Sequence, residues 1–292
     1  MNTLFSSPAA RERILELYFD KLEELNISYD TCTIETSFGD THIIMTGDKT
    51  APPLVLLHGA NGCAPIAIEA LPGLLKDFRV YAIDIIGQPN PSAEFRPDIH
   101  TPAYGQWLQE ILSRMHITGV TLVGISFGGL VSWKTLAFDE RRIARAFLIV
   151  PAGIVNGNPI QALWKVFLPM KRYMATRKTK YVHRFLGALF TREDPFALRF
   201  LSEVFLHFSM DFSPLPLISR KEAAQIKTPV YIAAAENDLM FPGKKLLRRA
   251  QKIFPSLRDT LLLPDSRHVP DEAGNEEIVK WISKNYGHPQ EV

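Results

Sequence analysis

Six short apolar runs recur along this chain, and they constrain its fold more than any other feature. They read Pro53-Leu54-Val55-Leu56-Leu57-His58, Arg79 to Ile83, Val120 to Val123, Ala146 to Val150, Val230 to Ala234 and Thr260 to Leu263. A strand with one wet face alternates apolar and polar residues, whereas a continuous apolar run suits a strand covered on both faces. Helix-length segments separate or follow most of the runs: Ile66 to Lys76, Tyr104 to Met115, Gly129 to Phe138, Lys244 to Ile253 and Glu272 to Lys284. Strand and helix alternating in this way predict an α/β fold: a mostly parallel, doubly wound sheet with helices on both faces. Ahead of the runs, Ile14, Leu17, Tyr18, Leu22 and Leu25 have the spacing of one helix face within Pro8 to Leu25. Thr31 to Thr36 and Thr41 to Thr46 then predict a hairpin that turns at Gly39-Asp40.

One interval breaks the alternation. Between the run ending at Val150 and the one starting at Val230 there is almost no strand signal. Ile160, Leu163, Trp164, Phe167 and Leu168 sit at helical spacing, and Pro169 is expected to stop that helix. Asp194-Pro195 reads as an N-cap followed by proline at the first helical position. The division expected is a core of residues 1–150 and 226–292 with a helical cap, 151–225, inserted in it. The cap aromatics, among them Trp164, Phe196, Phe200, Phe205 and Phe208, are expected partly to pack on the core and partly to wall a pocket.

Charge and composition narrow the partners. Of 292 residues, 33 are Lys or Arg and 31 Asp or Glu, so no basic footprint for nucleic acid exists. The first 25 residues lack the apolar stretch of a secretory signal, and no run approaches a membrane span. The two cysteines, Cys32 and Cys63, have no metal-ligand or redox spacing, which suits a reducing compartment. A cytoplasmic protein without a membrane span is the expectation; the oligomeric state does not follow. No metalloprotease, P-loop or dinucleotide motif is present, so no metal or cofactor is implied.

The chemistry begins at Gly124-Ile125-Ser126-Phe127-Gly128, a G-x-S-x-G match. Such a match arises by chance in roughly one chain in ten, but here a strand precedes it and an apolar helical segment follows. A sharp strand-to-helix turn presents the middle serine above the sheet edge, at a helix N-terminus that favours negative charge. A serine hydroxyl needs a base. His268, just beyond the last strand and before the terminal helix, lies at the same sheet edge; His288 sits in an unanchored tail. The base needs an orienting carboxylate. Asp238, after the strand ending at Ala234, is the choice, with Glu236 a weaker competitor. Donors for a tetrahedral oxyanion are expected from the backbone N–H groups of Ala60, in His58-Gly59-Ala60-Asn61-Gly62, and of Phe127.

With these residues, the chain resembles the α/β-hydrolase superfamily in its esterase-like branch with a helical cap. The resemblance runs from about Thr31 to Tyr286 and rests on His58-Gly59, the elbow at Gly124 to Gly128, and the order Ser126, Asp238, His268. It implies a serine hydrolase acting through an acyl-enzyme on small to medium apolar carboxylic esters. Thioesterase, acyltransferase or perhydrolase chemistry on the same triad remains open, as does a slow-turnover ligand-binding protein. Serine at position 126 disfavours the family's epoxide-hydrolase and dehalogenase chemistries, which use a carboxylate nucleophile. The turn after Asp84, Ile85-Ile86-Gly87-Gln88-Pro89-Asn90-Pro91-Ser92, departs from the tighter glycine-rich version common in the family, and Asp84 there is read as structural.

Overall fold

The computed structural model describes residues 3–287, so His288 lies outside them. Strands β1 (Tyr29–Thr36) and β2 (Gly39–Thr46) form an antiparallel hairpin. The six apolar runs become β3 (Pro53–Leu57), β4 (Arg79–Ile83), β5 (Val120–Ile125), β6 (Ile143–Ile149), β7 (Val230–Ala235) and β8 (Leu257–Leu263), all mutually parallel. One sheet results, in the order β1-β2-β4-β3-β5-β6-β7-β8. Strand order reverses at β3, which has β4 on one side and β5 on the other, so a crevice opens at the C-terminal ends of β3 and β5.

Helices α1 (Pro8–Glu24), α2 (Ala64–Ala70), α3 (Ala103–Arg114) and α4 (Phe127–Phe138) precede a helical insert. The insert holds α5 (Pro159–Ala162), α6 (Leu168–Thr176), α7 (Lys180–Leu189) and α8 (Pro195–His207). Helices α9 (Arg220–Gln225), α10 (Gly243–Ile253) and α11 (Glu272–Tyr286) complete the chain. The unbroken apolar runs follow from a core on each side of the sheet. Leu54 and Leu56 of β3 enter one layer with Ile14, Ile68 and Ile278; Val55 and Leu57 enter the other with Trp107, Leu130 and Leu246. No helix among the described residues is long and apolar enough to cross a membrane.

Several local expectations are corrected. The hairpin reverses at Ser37-Phe38, because Thr36 already pairs with Gly39 and Glu35 with Asp40. The segment Ile66 to Lys76 is two pieces: α2 ends at Ala70, and a 3-10 turn, Pro72–Lys76, follows where Pro72 has no N–H to continue the ladder. Pro169 does not stop its helix. The chain widens into a π-helical turn, Leu163–Phe167, in which the Leu168 N–H reaches the Leu163 carbonyl. Pro169 then falls in the first turn of α6, where a missing N–H costs nothing. This arm leaves Trp164 62% exposed. Phe196, Phe200 and Phe205 are buried in the core layer that the insert shares with α1, with Lys21 over the Phe196 ring at 4.3 Å and Phe205 edge-on to Phe185 at 4.9 Å. Phe208 meets Phe5 at 5.1 Å, and the Ser6 N–H donates to the His207 carbonyl, so the N-terminal segment fastens α8.

Polar groups buried beneath the crevice are fully engaged. Asp84, at the end of β4, accepts from the Tyr18 hydroxyl at 2.7 Å, His42 Nδ1 at 3.0 Å and the Ala64 N–H at 2.8 Å. Burial and the neighbouring carboxylate push the Tyr18 phenol far above its usual pKa. His58, 1% exposed, accepts from the Ile85 N–H at Nε2 and therefore donates from Nδ1 to the Gly59 carbonyl. Burial pushes its pKa down, against the pull of Asp84 and the Gly59 carbonyl, so the ring is held neutral.

Two outcomes follow. Asp84→Ala takes the acceptor from two buried donors, the Tyr18 hydroxyl and the Ala64 N–H, each costing about 1–3 kcal/mol when left unpaired, and from the half-buried His42. Its urea midpoint should fall by the equivalent of about 3 kcal/mol or more, and an unchanged midpoint would contradict the network. His58 has a depressed folded-state pKa, so the unfolded chain takes up its proton first as pH falls below about 6.5. Stability should decline from there toward the lower folded value, by up to about 1.4 kcal/mol per pH unit. That part of the slope should be missing from His58→Gln in denaturation curves between pH 5 and 7.

Candidate active site

The elbow between β5 and α4 is built by close backbone approach. A Cβ on Gly124 would meet Ser132 Oγ at 2.3 Å, and one on Gly128 would meet the Leu57 carbonyl oxygen at 2.5 Å. Neither position has room for a side chain. Ser126, between them, sits at φ 53° and ψ −107° at the N-cap of α4. Such a backbone costs a non-glycine residue about 1–3 kcal/mol. Its own peptide groups offset this: the N–H donates to Ile149, and the carbonyl accepts from Ala152, Gly129 and Leu130. Because each net hydrogen bond contributes about 1 kcal/mol, the strained turn is held in place.

Above it lies a continuous hydrogen-bonded chain. His268 Nδ1 is 2.8 Å from Asp238 Oδ2, and its Nε2 is 2.9 Å from Ser126 Oγ. An ionised carboxylate only accepts, so Nδ1 carries the proton and Nε2 accepts from the serine hydroxyl. The Asp238 side chain is fully buried and that of His268 is 12% exposed. Burial would raise the Asp238 pKa, yet the adjacent His268 imidazole and its hydrogen bond, with the N–H groups of Phe241 and Met240, hold it below the ordinary carboxylate value. Phe241, itself buried, packs edge-on to the imidazole at 5.4 Å. The competing acid, Glu236, turns away to pair with Lys244 at 2.5 Å.

The glycine-rich loop after β3 lies against this group: a Cβ on Gly59 would be 3.5 Å from the Ser126 Cβ. The Gly128 N–H donates to the His58 carbonyl, tying the loop to the elbow. Among the described residues, the Ala60 and Phe127 N–H groups have no protein acceptor, whereas the neighbouring Asn61 N–H donates to Gln88 Oε1 at 2.7 Å. Gln88, with Asn90 donating to the Ile85 carbonyl at 2.9 Å, makes the turn after Asp84 a brace for the loop. That role was hidden in the sequence; the departure from a glycine-rich turn was its one visible sign.

The insert is stitched to the loop that carries His268. Val269 donates to the Leu189 carbonyl, Thr191 donates back to Val269, and Arg267 donates to the carbonyls of Gly187 and Phe190. A cavity of about 550 Å³ opens between α6, α7 and the two loops. Its wall includes Asn237 and Leu239, on either side of Asp238, and Arg267, next to His268; Ser126 is not part of it. Among the described residues, no group of three or more His, Cys, Asp or Glu side chains is gathered as for a metal ion, and Cys32 and Cys63 are both free thiols.

Comparison with known proteins agrees with this architecture. Residues 52–270 match the family model described as alpha/beta hydrolase fold. The uncharacterized carboxylesterase nap of Bacillus subtilis is 23% identical over 294 residues, 94% of each chain. Carboxylesterase YbfK of the same organism is 32% identical over 153 residues, 51% of this chain and 50% of that protein. The crystal structure of naproxen esterase (carboxylesterase NP) from Bacillus subtilis superposes with a TM-score of 0.80 at 21% identity, covering 93% of this chain and 96% of that one. That of carboxylesterase CesB (YbfK) gives 0.81 at 21% identity, covering 96% and 99%. The chain belongs to the α/β-hydrolase fold family.

Proposed function

We propose that this protein hydrolyses carboxylic esters through an acyl-enzyme on Ser126. The observation that carries the reading is the unbroken hydrogen-bond chain from Ser126 through His268 to Asp238 at the crevice. Distant kinship with proteins named carboxylesterases supports it. In this reading Ser126 Oγ attacks the ester carbonyl while His268 Nε2 takes its proton. Asp238 stabilises the imidazolium and keeps the ring in the tautomer that leaves Nε2 free. The Ala60 and Phe127 N–H groups, without protein acceptors among the described residues, are suited to the tetrahedral oxyanion. His268 then protonates the departing alcohol, activates a water, and the acyl group leaves Ser126 as a carboxylic acid. Residues 151–225 serve as the cap on a core of 1–150 and 226–292, and small to medium acyl groups are the expected substrates.

A fluorophosphonate probe should label Ser126 in intact-protein and peptide mass spectra. Ser126→Ala should lose p-nitrophenyl ester turnover on the order of 10⁵-fold or more; labelling confined to another serine would sink the assignment. Asp238→Asn should lower kcat by about 10⁴-fold with the fold intact by circular dichroism. Glu236→Gln breaks only a surface pair and should stay within about twofold of wild type. If Glu236→Gln were the more damaging change, the acid would be wrongly assigned.

A further inference from the structure

The cavity beside the acid and base loops has a charge pattern that ester cleavage alone does not use. Four cationic side chains line it, Lys165, Arg172, Arg184 and Arg267, and no carboxylate does. Nor does any Asp or Glu occur in the sequence between Arg141 and Arg192. Elsewhere in the insert, Arg192 pairs with Asp271 at 3.1 Å and Arg199 with Glu24 at 3.8 Å, while Lys171, Arg177, Lys178 and Lys180 are spread over its outer surface. Among the described residues the four lining cations make no ion pair. Arg172 and Arg184 instead gather around the Tyr181 ring, their guanidinium carbons 6.0 and 5.9 Å from its centroid. Arg267 is held at the mouth by the carbonyls of Gly187 and Phe190, which fix its position without neutralising it.

Like charges collected in a cleft repel one another and raise the local concentration of anions. Guanidinium groups recognise carboxylate and phosphate oxygens through paired N–H donors. Trp164, Leu168 and Leu239 give the wall an apolar part that suits a short alkyl chain, beside the Asn237 amide. We propose that this cavity is an anion subsite: the preferred substrates are soluble esters whose acyl chain ends in a carboxylate or phosphate-like group, seated among Arg172, Arg184, Lys165 and Arg267 while the ester carbonyl reaches Ser126. The proposal rests on Ser126 being the nucleophile, and its test separates the two.

The probes are p-nitrophenyl hexanoate, mono-p-nitrophenyl adipate of the same carbon count, and the p-nitrophenyl ester of 6-phosphonohexanoic acid. The quantity read is the ratio of kcat/KM for each anionic ester to that for the neutral one. Arg172→Gln/Arg184→Gln should lower the ratio at least about tenfold, through KM, and added salt should lower it in wild type. Arg248→Gln/Lys252→Gln removes equal charge from α10, outside the cavity, and should preserve the ratio. The adipate and phosphono esters tell whether carboxylate or phosphate is preferred. A ratio insensitive to Arg172→Gln/Arg184→Gln overturns the subsite. So does an unchanged ratio with loss of co-sedimentation on phosphatidylglycerol vesicles, which would assign these charges to a lipid surface. If wild type cleaves no ester, the Ser126 reading fails on its own. The subsite is then read by titrating adipate and inorganic phosphate into Ser126→Ala in a calorimeter. Binding abolished by adding Arg172→Gln/Arg184→Gln sustains it, and no binding overturns it.

Discussion

Two backbones have to touch for this site to exist. The Gly128 N–H reaches the His58 carbonyl at 3.1 Å, and Gly128 lies so close to Leu57 that a single added carbon would collide with its main chain. This contact joins the end of β3 to the turn after β5 across the point where strand order reverses. It brings the Ser126 hydroxyl and the Ala60 loop to one place, and every other group near Ser126 is arranged around that meeting. Hydrophobic burial on both sheet faces supplies the stability that lets Ser126 be held at positive φ.

The loops would be soft without the polar layer beneath them. Asp84 gathers donors from α1, β2 and the start of α2; His58 spans two loops through its two ring nitrogens; Gln88 pins Asn61. These groups surround the crevice without belonging to the serine–histidine–carboxylate chain. They act by fixing backbone N–H directions, where a small displacement matters because hydrogen-bond strength falls steeply with angle.

Much of this was legible in the sequence, for physical reasons that differ by element. The six apolar runs announced a two-sided core because no solvent-facing strand could tolerate them. That Ser126, His268 and Asp238 meet was legible because each follows a strand and so emerges at one edge. What stayed hidden depended on contacts between distant segments. The π-helical turn that carries the chain past Pro169 is a tertiary accommodation, invisible to local propensity. The aromatics of α8 advertised burial correctly, but periodicity gives a stripe and not its partners, which include Phe185 of α7 and Lys21 of α1. Gln88 was unreadable because a lone polar residue in a proline-rich turn carries no periodic signal.

The short bridge between Phe190 and Val269, with Thr191 and Arg267 on either side, makes the loop that holds His268 partly a piece of the insert. An insert of this kind is usually pictured as a module that evolution or an engineer can exchange while the core stays intact. Here exchange is not free. A foreign insert that lacked acceptors at the positions of Leu189 and Phe190 would release the segment beside the imidazole and let its ring drift from Ser126. Chimeras across this boundary should therefore be spliced so that residues 187–191 travel with the core, leaving the arm from Pro159 to Thr176 as the exchangeable part.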